Sequence, residues 1–487
     1  MEPLTVRRAR RQGQSVEPWG PSATHRRRTR QDQAMHLRAS ALAERLRSSL
    51  FFIPMFTVIG AVAFGIATLA LDRRIGAGAA DLPLGLVSTV EGARALLSTI
   101  AGATISFAGI AFSVSLLTIQ QASSQYSPRV VHTLFRDPFN KRVMGLVVGT
   151  FTYCLIVLRS VRAPLDDSGT PVVPNLSVAL AVVLGIATIL AIVAFIDHSA
   201  HAMDVSQILD NVRREATDHI RQQWPETRPG PAPATAPSDL DGRASTVVRF
   251  RSTGWIQQVE FDSMFEAIAP GSTLVLQAEP GRYAIAGTTL ATVTPPVLDV
   301  NGVADALDRA ITIGATRTMQ QDASYGLRQL ADVALKALSP GINDPTTAQD
   351  AIFHSAAVLA ELLQRDPPEP LVQRRDDKRL VAAQRPTHPE LVRLAYDETR
   401  RAAADQPTVC IYLLEAFDLL IELLEARGLG ARAEPIMEQA RITVEGCRAA
   451  GLGSADLQPV EDAYRKRFAL THPRPAVPHP AGMDHPS

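Results

Sequence analysis

Residues 50–71 read LFFIPMFTVIGAVAFGIATLAL and contain no charged side chain. At 1.5 Å per residue a helix of this run reaches about 33 Å, enough for a hydrocarbon core of about 30 Å. Because 49 mostly polar residues come first, the run reads as an anchor and not as a cleaved secretory signal. Three more apolar runs follow: 95–119 (ALLSTIAGATISFAGIAFSVSLLTI), 143–158 (VMGLVVGTFTYCLIVL) and 176–196 (LSVALAVVLGIATILAIVAFI). The third covers only about 24 Å, and its flanking Arg142 and Arg159 would have to snorkel to complete the crossing. The pattern predicts a mainly α membrane protein with a transmembrane domain over 50–196 and spans near 50–71, 95–119, 143–158 and 176–196.

Arginine sets the expected orientation. The arm 1–49 carries Arg7, Arg8, Arg10, Arg11, Arg26, Arg27, Arg28, Arg30, Arg38, Arg45 and Arg47, and the loop after the second span carries Arg129, Arg136, Lys141 and Arg142. Placing the arm inside places that loop inside as well, and four crossings return the C-terminus to the same side. The arm itself reads as disordered and topology-setting. Arginine-for-lysine bias, with abundant Ala and Pro, points to a bacterium with GC-rich codons. The expected location is therefore the bacterial inner (plasma) membrane, multi-pass, with both termini cytoplasmic. Were the third run not to cross, the large C-terminal region would lie on the other side.

That region changes character along its length. Residues 197–224 read as an amphipathic helix continuing the fourth span, with Met203, Ile208 and Val212 on one side. A Pro-rich linker spans 225–244. A small β domain over 245–300 follows, its strands expected at Thr246–Phe250, Trp255–Glu260, Thr273–Gln277 and Tyr283–Ala286, separated by turn residues such as Pro270-Gly271. Residues 301–470 read as a helical bundle interrupted by a polar stretch over 364–388, and 471–487 as a disordered tail. The fold class is thus four transmembrane helices followed by a cytoplasmic α+β region.

Composition excludes several functions. The 487 residues hold 49 basic and 49 acidic side chains, so no basic excess points to nucleic acid as a partner. Three cysteines (Cys154, Cys410 and Cys447) form neither a disulfide framework nor a metal-ligand spacing. There is no GxxxxGK[ST], GxSxG or HExxH. No enzymatic activity and no cofactor are expected.

Candidate sites come from local pattern. On the second span Ser98, Gly102, Ser106, Gly109 and Ser113 fall on one helical side. Such a stripe either lets helix backbones approach closely or, with the hydroxyls of Thr99, Thr104, Ser115 and Thr118, lines a path for small solutes. Gly145 and Gly149 form a GxxxG pair on the third span. Asp197, His198, His201 and Asp204 gather at the inner end of the fourth span. Steps of three put His198, His201 and Asp204 on one face, a weak metal or pH-sensing candidate against the plainer reading of interfacial histidines. Asp344 suits a helix N-cap with Pro345 at the first helical position, and Asn343 with Asp344 is a candidate ligand or partner loop. Upstream, Arg328, Asp332 and Lys336 at four-residue steps read as a solvated salt-bridge ladder.

Three stretches carry a resemblance. Gln125-Tyr126-Ser127-Pro128-Arg129 after the second span, Gly254-Trp255-Ile256-Gln257, and Ala337-Leu338-Ser339-Pro340-Gly341-Ile342-Asn343-Asp344-Pro345-Thr346-Thr347-Ala348 together resemble the bacterial predicted-membrane-protein family known as domain of unknown function 2254. The likeness covers roughly residues 40–470 and implies several N-terminal spans with a soluble C-terminal region; it implies no activity. The long arginine-rich arm and the Pro-rich linker depart from the commoner form of the family. Tyr126, Ser127, Pro128 and Arg129 then form a membrane-proximal motif that stops a helix and holds one cation near lipid phosphate. The expected partners are the lipid bilayer, further copies of the chain and a cytoplasmic protein. Two functions remain: a channel-like or transport-related homo-oligomer gated by its cytoplasmic domain, or a membrane-anchored scaffold or signalling module acting through its helical domain.

Overall fold

A computed structural model describes residues 52–75, 89–125, 138–162, 173–201, 204–224, 243–367, 372–382 and 386–468. The arm 1–49, the Tyr126–Arg129 motif, the linker through residue 242 and the tail 471–487 lie outside the described residues. The chain forms two compact units, one of residues 1–109 and 135–192, the other of residues 110–134 and 193–487.

Among the described residues, four helices are long and apolar enough to cross a bilayer: α1 (Phe52–Ile75), α2 (Val90–Gln125), α3 (Pro138–Ser160) and α4 (Asn175–His201). All four extend past the charge-free runs that announce them. The third, announced by the shortest run, becomes a 23-residue helix. Pro138 opens it, where a missing N–H costs nothing, and Lys141 is taken into the helix and buried, 2 % exposed.

Within the first unit α1 and α3 pack as a close pair because glycine removes the side chains between them. A Cβ on Gly145 would lie 2.5 Å from Thr57 Oγ1, and one on Gly65 would lie 3.1 Å from Ile156. Gly149 abuts Thr57 and Ala61 at van der Waals distance. The GxxxG pair is therefore an intramolecular seam. Ala93, Leu97 and Ala101 of α2 enter the same core as Tyr153, Cys154, Val157, Val178 and Ala181. A polar chain ties the helix ends. Asp72 accepts from the backbone N–H groups of Leu176 (3.0 Å) and Ser177 (2.9 Å), capping α4 from another helix. Tyr153 donates to the Ser177 carbonyl at 3.1 Å and lies 3.1 Å from the Thr68 hydroxyl.

In the second unit the expected single helix over 197–224 is two helices. α4 ends at His201, and α5 (Val205–Gln223) begins behind Asp204, whose extended backbone and carboxylate cap Ser206 N–H at 3.0 Å. The apolar side of α5 buries Ile208, Leu209, Val212, Ala216 and Ile220 in one core with α8 (Ser324–Ala337), α9 (Pro345–Leu363), α10 (His388–Ala402), α11 (Pro407–Ala426), α12 (Glu434–Ala449) and α13 (Ser454–Phe468). Gly326 sets the approach of α8 to α5, since a Cβ there would lie 2.5 Å from the Ala216 Cβ.

The β region is larger than residues 245–300. Strands β1 (Thr246–Arg249), β2 (Gly254–Val259), β3 (Thr273–Leu276) and β4 (Tyr283–Ala284) fall where turn chemistry predicts them, and β5 (Thr289–Thr294) joins them. After α6 (Phe261–Met264) and α7 (Val300–Ala310) come β6 (Ile311–Gly314) and then, from the polar stretch over 364–388, the hairpin β7 (Val372–Arg375) and β8 (Lys378–Ala382). Asp376 and Asp377 turn that hairpin with φ of 48° and 61°, the left-handed pair a two-residue turn requires. The strands form a five-stranded sheet in the order β1-β5-β3-β8-β7 and a three-stranded sheet in the order β4-β2-β6. β8 runs parallel to β3; the other pairings are antiparallel.

Candidate functional site

The second apolar helix presents two unlike sides. Ala93, Leu97, Ala101, Thr104 and Ala111 are buried. Ser98, Gly102, Ser106, Gly109 and Ser113 are all exposed. A Cβ built on Gly102 or on Gly109 would meet nothing within 4 Å, in contrast to Gly145 and Gly65. The small-residue stripe of α2 is therefore an exposed side of the helix. The hydroxyls along this helix mostly turn back onto it: Ser98 and Thr99 donate to the Ala95 carbonyl at 3.0 and 2.7 Å, and Thr118 donates to Val114 at 2.9 Å. These hydroxyl protons are satisfied within the helix, which keeps them compatible with a low-dielectric surrounding.

The Asn343–Asp344 loop is well ordered by its own bonds. Asp344 accepts from the N–H groups of Thr346 and Thr347, each at 3.1 Å, and from the Thr347 hydroxyl at 2.6 Å. The Thr347 hydroxyl and these N–H groups hold its carboxyl below the usual range. Its acceptor capacity is thus directed at starting α9. Asn343 adopts φ 49°, its N–H donating to the Ser339 carbonyl at 2.9 Å, and its side chain is exposed. Of this pair Asn343 is exposed and Asp344 half-buried.

The histidine group at the end of α4 is divided. Asp204 belongs to the cap of α5, so no single uninterrupted helical face carries it together with His198 and His201. Among the described residues no group of three or more His, Cys, Asp or Glu side chains converges as metal ligands would.

A polar cluster that the residue pattern does not announce lies where the three-stranded sheet meets α8. The Arg317 guanidinium donates to Asp322 (Nε to Oδ2, 2.6 Å) and to the Ser324 hydroxyl (2.8 Å), which in turn donates to Asp322 Oδ1 at 2.5 Å. Its Cζ lies 5.8 Å from the Trp255 ring centroid and 5.3 Å from that of Tyr325, a cation between two aromatic faces. Gly281, at φ 87°, comes so close that a Cβ would overlap Asp322. A cavity of about 20 Å³ beside Asp322 and Ser324, lined also by Trp224 and Glu279, is too small for a substrate. The cluster is a clasp between sheet and helices. Next to it the expected solvated ladder on α8 is an internal face: Gln329 and Asp332 are buried, and Arg328 bridges Asp332 (2.7 Å) to Glu398 of α10 (2.7 Å). The bond to Glu398 raises the affinity of Arg328 for its proton.

A sequence profile of the family described as "Predicted membrane protein (DUF2254)" matches residues 47–418. The chain is 29% identical over 383 residues to two uncharacterized proteins, Rv1290c of Mycobacterium tuberculosis (strain ATCC 25618 / H37Rv) and Mb1321c of Mycobacterium bovis. In each case the match spans 78% of this chain and 73% of the relative. No solved structure matches.

Proposed function

Because the chain belongs to the DUF2254 family of predicted membrane proteins, we propose that it works within the bilayer as a homo-oligomer whose α2 helices face one another across the small-residue stripe, forming a channel-like path gated by the C-terminal region. The observation that carries this reading is the stripe itself: five small residues in a row, exposed, with open space where a Cβ on Gly102 or Gly109 would stand. Small residues on that side keep side-chain bulk out of the space a path would need. The exposed serines Ser98, Ser106 and Ser113 would give such a path hydroxyls without fixed charge, which suits passage by size and not coupling to a proton gradient. In this reading the protein resides in the bacterial plasma membrane with both termini on the cytoplasmic side, as the arginine-rich arm and second loop favour.

Liposome reconstitution with a flux assay tests the proposal. Wild-type protein is expected to release small solutes, and Ser106→Leu to abolish release while leaving the folded chain intact. Ser106→Cys is expected to cross-link between copies in membranes under mild oxidation. Vesicles no leakier than protein-free controls, together with a Ser106→Cys chain that stays monomeric, would sink the reading. A reporter fused after Ser487 checks the orientation separately.

A further inference from the structure

Two of the three cysteines meet. Cys447 Sγ lies 3.0 Å from Cys410 Sγ, and both residues have no exposed surface. That separation is shorter than the non-bonded contact of two sulfurs. Cys410 sits in the first turn of α11 and Cys447 close to the end of α12. The Cys410 thiol donates to the carbonyl of Ala403, the residue closing α10, so the pair stands where three helix ends come together. Helix ends open locally far more readily than helix middles, which gives a small oxidant a route to sulfurs that the static fold covers. Cys154, in the apolar α3 helix and buried there, belongs to the other unit.

We infer that Cys410 and Cys447 are a redox-responsive pair that a peroxide converts to an intramolecular disulfide, fastening the start of α11 to the end of α12. One sulfur, as its thiolate, attacks a peroxide oxygen; the O–O bond breaks, leaving a sulfenic acid and a hydroxide that takes up the released proton. The second sulfur displaces the sulfenic oxygen; an S–S bond forms, the S–O bond breaks, and the oxygen leaves as a second water with the second thiol proton. Two thiols and one hydrogen peroxide thus give one disulfide and two waters, with two electrons passing from sulfur to oxygen. The bond closes a sequence separation of 37 residues, long enough to restrict the unfolded chain and raise stability. Reduction by a thiol reverses the step.

The full-length chain in detergent, reduced and desalted, is treated with a small molar excess of hydrogen peroxide and then alkylated with N-ethylmaleimide in denaturant. Intact mass is expected to fall from three alkylations to one, digestion to yield a peptide pair joined through Cys410 and Cys447, and the melting temperature to rise by several degrees. In Cys447→Ala the joined peptide and the upward shift are both expected to disappear. Three alkylated thiols after treatment, even in mildly destabilising urea, would overturn the inference, as would linkage through Cys154 or between two chains.

Discussion

Asp322→Ala is the substitution that most directly tests how the second unit is held together. The carboxylate is 5 % exposed and accepts from Arg317 at 2.6 Å and from Ser324 at 2.5 Å. Removing it strips the guanidinium of its counter-charge while Trp255 and Tyr325 still hold that cation over their rings. Breaking a buried pair from one side costs about 3–5 kcal/mol. Arg317 keeps 21% of its side-chain surface, so water recovers part of that, and the expected loss is about 2–4 kcal/mol. The surface pair Arg441–Glu438, about half exposed on both sides, sets the contrast: Glu438→Ala is expected to cost less than about 1 kcal/mol. Chemical denaturation of the full-length chain in detergent, followed by far-ultraviolet circular dichroism, reads both. Arg317→Ala and the double variant complete a cycle in which the double loses clearly less than the sum, because no uncompensated charge remains. An Asp322→Ala chain within about 0.5 kcal/mol of wild type would show that the clasp does not hold sheet to helices.

Three further outcomes follow from the geometry. Gly326→Ala forces a Cβ into Ala216 and is expected to destabilise by about 1–3 kcal/mol, with Ala216→Gly restoring part of the loss in the same denaturation assay. Asp344→Ala removes the cap of α9 and is expected to cost about 1–2 kcal/mol; Asp344→Asn, which keeps an acceptor, should lose distinctly less. His388, packed on Trp224 and facing Arg432, is pushed down to about 4 by burial first and by Arg432 second. Its neutral form is the folded one, so the unfolded chain binds the extra proton between pH 6.5 and 4. Stability should accordingly fall as pH drops through that window, by at most about 3 kcal/mol. His388→Gln should flatten that part of the melting-temperature profile, and an unchanged profile would refute the assignment.

The four spans were legible because a bilayer imposes one requirement, a long charge-free helix, that residue order states openly. Their ends were not. Counting stops at Lys141 and Arg142, whereas the helix starts at Pro138 and buries the lysine. The cap at Asp344 was readable because its partners lie two and three residues away. The clasp was not, since Arg317 takes its meaning from Trp255, Gly281 and Tyr325 on other elements. Four-residue spacing of charges on α8 identified a common side without saying whether water or Glu398 stood opposite. The β7–β8 hairpin hid because its sequence, VQRRDDKRL, carries the charges that blunt an edge strand; only its partner β3 reveals it. For the α2 stripe, residue order gave the side of the helix, and the structure added that these residues are exposed.

The parallel pairing of β3 with β8 has a bearing on how the molecule comes into being. Residues 273–276 wait for residues 379–382, and three complete helices, α7, α8 and α9, are synthesised in the interval. The sheet is thus finished from its far edge by a late arrival, and bringing such distant segments together is a slow kind of step. A ribosome paused between these strands would display β3 with one flank bare. Any attempt to dissect the region into a strand-bearing half and a helix-bearing half by cutting near residue 300 would hand each fragment an incomplete share of the other.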